Sequence, residues 1–185
     1  MYALREDFMP VFQASFLAEI ARVKIALGKL REGEAVLKQA FAAFDRGGLT
    51  CNTNSLFVAD AHLQLALGNP EHALERMEAL LQRLHHSSSR NCLAEGYWLQ
   101  GKAWLALAKV EQAREACLKA KAAAEENSER TILWQILASL AELEKTYGNV
   151  TEADRMTGRA LEVISYIADH AGTDEFRSLS HRRSN

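Results

Sequence analysis

Apolar side chains recur with helical spacing on both sides of a short turn near the middle of the chain. Those before the turn are Leu56, Val58, Ala59, Ala61, Leu63, Leu65, Ala66 and Leu67, and those after it are Ala73, Leu74, Met77, Leu80, Leu81 and Leu84. Gly68, Asn69 and Pro70 form the turn, since glycine accepts the left-handed backbone that ends a helix and proline suits the first position of the next. The pattern predicts two helices joined by a tight turn.

The same pattern returns every forty residues. The turn position is occupied by Gly28, Gly68, Ala108 and Gly148. Small or apolar residues recur at three fixed distances from the turn position. Seven residues before it stand Ala21, Ala61, Gly101 and Ala141, and five residues after it stand Gly33, Ala73, Ala113 and Ala153. Twelve residues after it stand Ala40, Leu80, Ala120 and Ala160. A period in this range marks an array whose units bury their apolar faces against one another. Ala108 replaces glycine, so its turn should be the most strained or close differently.

The chain should fold as one all-α domain over residues 1–185. It has only two prolines and ten glycines, and helix-forming residues dominate between them. The expected fold is a right-handed superhelical array of antiparallel helix pairs, with about eight main helices and a short carboxy-terminal capping helix at 169–180. The repeats should cover residues 10–48, 49–88, 89–128 and 129–168. Pro10 is expected as the first helical residue, and Ser88 and Ser128 as helix N-caps.

Charge and cysteine content exclude several classes of function. A net charge of −2 gives no field suited to a phosphate backbone, so we expect no direct nucleic-acid partner, and His181 to Arg183 is interpreted as a solvated tail. The three cysteines show no metal-binding spacing, which favours a reducing cytoplasm without disulfides or a metal site. The charged amino end and the lack of a long apolar run predict neither a signal peptide nor a membrane span.

Two weak catalytic patterns also have simpler interpretations. Gly28 and Gly33 have the glycine spacing of a phosphate loop, but Glu34 and Ala35 follow instead of lysine and a hydroxyl residue. His85 and His86 are adjacent in a polar link, where their side chains diverge, and no HExxH pattern surrounds them. We therefore expect neither an enzyme nor a bound cofactor.

The spacing of small residues around the turn resembles the tetratricopeptide repeat over nearly the whole chain. That family's usual unit has 34 residues, whereas this one has 40, which resembles the long-helix variant in the carboxy-terminal repeat regions of large bacterial signalling ATPases and transcription activators. The chain departs from the family at Ala108, at Gly33, and four residues before the turn, where the aromatic is missing from three of four repeats. The resemblance implies a non-catalytic protein-interaction scaffold within a larger regulatory protein.

The resemblance also implies a concave groove lined by the first helix of each pair. Its innermost row would be Arg22, His62, Lys102 and Glu142, and the flanking rows would include Val58, Trp98, Glu95, Gln135, Leu65 and Leu105. The basic members beside Trp98 suggest an alternative function, in which a peptide or small acidic ligand in the groove is sensed. We favour the simpler interpretation that these are ordinary packing or solvated residues of a helix face. The asparagine pair of the chaperone-binding clamp is missing, so a chaperone co-factor role is not expected.

The amino-terminal helix carries an aromatic stripe. Phe8, Phe12 and Phe16 are spaced by four residues and so share one helix face. A repeat array needs a cap or another repeat over its first helix. The stripe should therefore be covered by a partner, by a second copy in a homodimer, or by preceding chain, and we favour the last, with self-association in the isolated piece.

Overall fold

The computed structural model describes residues 4–47, 54–86 and 90–170, and in residues 4–11 and 47 only the backbone. This part of the chain is all-helical and contains no strand, which confirms the predicted class. Its eight helices are α1 (Leu4–Ala26), α2 (Leu30–Gly47), α3 (Asn54–Ala66), α4 (Pro70–His85), α5 (Leu93–Ala106), α6 (Val110–Glu126), α7 (Arg130–Thr146) and α8 (Val150–His170).

The packing order of the helices is that of a repeat-like array. Each helix packs against the next along the chain. In addition, α1 packs against α3, α3 against α5, and α5 against α7. We call α1, α3, α5 and α7 the first helices and α2, α4, α6 and α8 the second helices. Within the described residues, no second helix packs against another second helix, so the first helices form the continuous row of the fold.

All four turns within the pairs close in the same way. Gly28, Gly68 and Gly148 are left-handed, with φ of 73°, 78° and 76°, and Ala108 adopts φ of 57°. The amide of the residue that follows each turn residue donates to the carbonyl four residues before the turn residue. At the Ala108 turn, for example, the Lys109 amide donates to the Trp104 carbonyl at 2.9 Å. These bonds satisfy carbonyls that the helix end would leave unpaired. The Ala108 turn therefore does not close differently from the others, and an alanine Cβ crowds this left-handed backbone more than glycine does.

The link between α6 and α7 uses the same turn, which the sequence did not suggest. Ser128 is left-handed, with φ of 55°, and the Glu129 amide donates to the Ala124 carbonyl at 2.8 Å. The N-cap of α7 is Glu129, which makes no side-chain capping bond. The expectation that Ser128 caps α7 is therefore wrong, because this serine closes the preceding helix. Ser88 lies outside the described residues.

The amino end of the array differs from expectation, whereas most of the expected cap at the carboxy end is not described. α1 begins at Leu4, so Pro10 lies inside the helix rather than at its start. The helix continues through Pro10 even though an interior proline removes one hydrogen bond and crowds the carbonyl four residues before it. The residues from Leu4 to Met9 contain no glycine or second proline that would end the helix. At the other end α8 continues to His170, and the rest of the expected cap, residues 171–180, lies outside the described residues.

Small residues mark where the two helices of a pair approach most closely. A Cβ added at Gly101 would lie 2.6 Å from Cys117 Sγ and 3.1 Å from the Ala113 carbonyl oxygen. A Cβ added at Gly33 would lie 2.8 Å from Ile25 Cγ1. This contact explains why the positions seven before and five after the turn hold only glycine or alanine.

The buried side chains form two apolar clusters that share α3. Leu56, Ala59 and Leu63 belong to the cluster with α1 and α2, whereas Val58 and Ala61 belong to the cluster that continues through α8. α3 is therefore apolar on two sides, as expected for a helix enclosed by the units before and after it.

Candidate interaction surfaces

A carboxylate on α5 joins the basic residues of the predicted inner row. Arg22 Nη2 donates to Glu95 Oε1 at 2.7 Å, and His62 Nε2 lies 3.1 Å from the same oxygen. Three first helices, α1, α3 and α5, are thus connected at one carboxylate. Arg22 and His62, two of the three basic residues that the sequence suggested for an external carboxylate, therefore already contact an internal one.

The protonation of Glu95 depends on this cluster. Burial acts to raise the pKa of Glu95, but the hydrogen bond with His62 and the charge of Arg22 outweigh it, so the pKa lies below its usual 4.5. Glu95 is therefore ionised at neutral pH. Its side chain is only 13% exposed, so water screens the interaction with Arg22 weakly.

Lys102 and Trp98 form the second part of the inner row. Lys102 Nζ lies 4.6 Å from the centroid of the Trp98 ring, and the His62 ring meets that ring edge-on at 6.2 Å. Trp98 Nε1 donates to Ser139 Oγ at 2.9 Å, which ties α5 to α7. Desolvation lowers the pKa of Lys102, and no carboxylate among the described residues forms an ion pair with it.

The remaining predicted groove residues do not join this cluster. Glu142 accepts a bond from Lys145 Nζ at 2.9 Å on the surface of α7, and Gln135 Nε2 donates to the carbonyl of Thr131. Val58 is fully buried in the core and is closed to a ligand in this conformation. Leu65 is half-buried and Leu105 is exposed. Of the ten candidates, Arg22, His62, Glu95, Trp98 and Lys102 lie together.

The aromatic stripe of α1 continues much further than the sequence reasoning placed it. Phe12, Phe16, Ile20, Val23 and Leu27 are 63%, 73%, 42%, 59% and 68% exposed. We call these five residues the α1 stripe. The side chain of Phe8 lies outside the described residues. Ile20, Val23 and Leu27 follow the same helical spacing, but they are aliphatic and were not part of the predicted aromatic stripe.

In later repeats the positions of Phe16 and Val23 are buried, whereas the position of Leu27 is exposed at Leu67 and Tyr147. Leu56 and Leu63 on α3 lie forty residues after Phe16 and Val23 and are almost completely buried. Ile136, Leu140 and Leu143 on α7 correspond to Phe16, Ile20 and Val23 and are buried as well. In α3, α5 and α7 the second helix of the preceding pair packs against the first helix. Within the described residues, no helix precedes α1 to do the same.

The opposite end of the array is more polar. In earlier repeats the second helices contact the next first helix at two positions. Leu81 on α4 packs near Gly96 on α5, where an added Cβ would lie 3.3 Å from Leu81 Cδ2. Arg114 Nε on α6 donates to Glu144 on α7 at 2.6 Å. The positions forty after Arg114 and eighty after Leu81 are Asp154 and Leu161 on α8, and both are exposed. Leu161 and Val150 are thus exposed apolar residues on this end face, and Asp154 lies between them.

The described thiols are poorly suited to nucleophilic chemistry. Burial raises the pKa of Cys92 to about 12 and that of Cys117 to about 11. Because the thiolate is the reactive form, both are protonated and inert at neutral pH. The described residues hold no group of three or more histidine, cysteine or acidic side chains that could bind a metal ion. Nor does any described helix have the length and apolarity needed to cross a membrane.

No protein-family model matches this chain, and no curated protein matches it significantly. The likeness to tetratricopeptide repeats therefore rests on the forty-residue registers and on the recurring turn.

Proposed function

We propose that this protein is a non-catalytic interaction module of the helical-repeat type, and that the α1 stripe docks an apolar helical surface. The observation that carries the proposal is that Phe16 and Val23 occupy positions which neighbouring helices cover in every later repeat, yet both are exposed in α1. A continuous row of five exposed apolar side chains is typical of an interaction site, because leaving apolar surface in water is unfavourable.

The proposed architecture behind this module is a right-handed solenoid of antiparallel pairs. Antiparallel pairing is supported by contacts that mirror one another across the turns. Gly33 approaches Ile25 and Ala21 across Gly28, and Gly101 approaches Cys117 and Ala113 across Ala108. Right-handedness rests on the resemblance to tetratricopeptide repeats, whose helix pairs stack in that sense.

A site-specific photocrosslink tests the docking function. We would replace Phe16 by benzoylphenylalanine and irradiate cells of the source organism that express the chain at its natural level. The expected result is a discrete polypeptide adduct, identified by mass spectrometry. The matched control carries the same group at Leu161, an exposed apolar residue on α8. The absence of any adduct at position 16, or equal adducts at both positions, would contradict the proposal.

A second candidate function is the binding of an acidic ligand in the groove, and Lys102 is the observation that favours it. Its ammonium group lies over Trp98, is partly desolvated, and forms no ion pair with a described carboxylate. An external carboxylate that bound there would also compete with Glu95 for Arg22 and His62. Binding could in this way loosen the connection between α1 and α5 and alter the curvature of the array.

Titration with a fluorescein-labelled hexaglutamate peptide tests this candidate. Lys102→Gln should weaken binding at least about fivefold, because it removes the unpaired cation. Glu95→Gln should strengthen binding, because it removes the internal competitor for Arg22. Lys38→Gln serves as the control, since that exposed lysine lies on α2 beside Glu34. Equal binding by all four proteins would exclude the groove as the site.

A further inference from the structure

We infer that the partner of the α1 stripe is the α1 stripe of a second copy, packed antiparallel about a two-fold axis beside Ile20. The inference rests on the proposed docking function of this surface and names its occupant. It makes the protein a symmetric dimer whose two arrays extend away from a central helix pair.

The α1 stripe is a narrow and continuous apolar face. At about 100° per residue, its five positions fall within an arc of roughly 80°, and from Phe12 to Leu27 they span about 22 Å. The described side chains of α1 inside this arc are all apolar, and Gln13 and Glu19 border it. A stripe of this width and length matches the seam of two packed helices rather than a site for a small molecule.

The order of residues along the stripe is self-complementary. In an antiparallel pair whose two-fold axis lies midway between the levels of residues 19 and 20, Phe16 is level with Val23 and Phe12 with Leu27 of the second copy, and the two Ile20 side chains are offset by about 1.5 Å. Each aromatic ring thus faces a smaller aliphatic side chain, and the sum of sizes is similar at every level. Alternation of large and small partners allows the two helices to keep an even separation along the seam. In a parallel pair, by contrast, Phe16 would face Phe16 and Val23 would face Val23.

Head-to-tail stacking onto α8 fits the structure less well. The end face of α8 that would have to cover the stripe presents two exposed apolar residues, Val150 and Leu161, with Asp154 and Gly158 between them. A Cβ added at Gly158 has no neighbour within 4 Å, so this part of α8 is open and lacks side-chain bulk. Covering Phe16 and Val23 with this face would bury a carboxylate against apolar side chains. It would also generate an open chain of copies instead of a closed dimer.

The purified chain offers a direct test by sedimentation equilibrium. A single helix pair of this length is a small interface, so we expect dimerisation with a dissociation constant on the order of 10 µM. Phe16→Lys and Val23→Glu should each raise that constant at least about tenfold, because each places one charge in the apolar seam. Both side chains are largely exposed in the protomer, so the helical circular dichroism should not change.

Mixing the two variants tests the antiparallel register. If Phe16 faces Val23 of the second copy, an equimolar mixture of Phe16→Lys and Val23→Glu should form heterodimers, because lysine then faces glutamate. The double variant in one chain should likewise recover homodimers, and recovery should be lost in 1 M salt. Leu161→Glu is the matched control and should leave the dimer intact.

Three outcomes would overturn the inference: a monomer at several hundred micromolar, a dimer unaffected by Val23→Glu, or no recovery on mixing. The photocrosslink at position 16 separates this failure from that of the proposed function. An adduct with a different protein would leave the docking function standing and remove the second copy as its partner. An adduct between two copies of this chain would support both the docking function and the second copy as its partner.

Discussion

Arg22 on α1 donates a 2.7 Å hydrogen bond to Glu95 on α5, although 73 residues separate them and their helices do not pack against each other. The arginine side chain passes α3, where His62 contacts the same carboxylate oxygen. Three consecutive repeats therefore share one ionic contact. Such a contact opposes changes in the angle between repeats, because any change in curvature lengthens it.

Removal of the Glu95 charge should destabilise the fold at neutral pH. Glu95→Gln keeps the shape of the side chain but leaves Arg22 without its carboxylate, so we expect a loss of about 2 kcal/mol in the free energy of unfolding. Urea denaturation at pH 7 measures this. Glu19→Gln is the control, because Glu19 is exposed and lies 3.4 Å from the same arginine, and it should cost less than about 0.5 kcal/mol.

The contribution of Glu95 should depend on pH with a defined sign. The pKa of Glu95 in the folded protein lies below 4.5, so the carboxylate stabilises the fold above the pKa of the unfolded chain. That stability is lost as the pH falls through the lower, folded-state pKa. The difference in unfolding free energy between the wild type and Glu95→Gln should therefore be full at pH 7 and shrink below about pH 4.5. A difference that does not shrink below about pH 4.5 would contradict the assignment.

Ala108→Gly should stabilise the protein. Ala108 has φ of 57°, a conformation that strains a side chain with a Cβ but not glycine. We expect a gain of about 1 kcal/mol, reduced somewhat by the greater freedom of glycine in the unfolded chain. Gly68→Ala is the reciprocal control, since φ is 78° there and an added Cβ meets no atom within 4 Å, so its cost is backbone strain alone. Thermal unfolding should move in opposite directions for the two variants.

Gly101→Ala should destabilise the α5 and α6 pair. The new methyl group would lie 2.6 Å from Cys117 Sγ, and the resulting displacement should cost about 2 kcal/mol despite the better helix propensity of alanine. Cys117→Ala in the same chain should recover part of that loss. Gly158→Ala on α8 provides the control, because its Cβ meets nothing within 4 Å, and it should gain about 0.5 to 1 kcal/mol. Equal effects at both glycines would disprove the close approach at Gly101.

A double-mutant cycle measures the bond between Trp98 and Ser139. Trp98→Phe removes the indole donor and Ser139→Ala removes its acceptor, which are 2.9 Å apart. Both single variants should lower the free energy of unfolding, and the coupling between them should be about 1 kcal/mol. A coupling near zero would mean that the indole ring of Trp98 joins α5 and α7 by packing alone.

The turns show how much of this fold is local in origin. Glycines at positions 28, 68 and 148 mark three of the four turns, because few other residues tolerate the left-handed backbone. The forty-residue register then located the fourth turn at Ala108. Ser128 shows the limit of this reasoning, since serine is a common N-cap and nothing in its neighbours distinguishes that role from a left-handed helix end.

The candidate surfaces were predictable only in part. Sequence registers brought Arg22, His62 and Lys102 into one row and included Glu95 and Trp98 beside it. They did not show that Glu95 binds two of these basic residues, because a contact between α1 and α5 depends on how far the side chains reach across α3. The phenylalanine spacing indicated one end of the α1 stripe. Its exposure could not be inferred from spacing, since the same spacing in α7 is buried.

The sequence by itself determined the helices, their turns and the forty-residue repeat, because these follow from backbone preferences and from the periodicity of apolar side chains along one chain. Only the tertiary structure decided which apolar faces are covered and which charges meet. Burial and ion pairing depend on what stands opposite a residue, and for the α1 stripe and Glu95 that neighbour belongs to another element far along the chain or, as we propose, to a second copy.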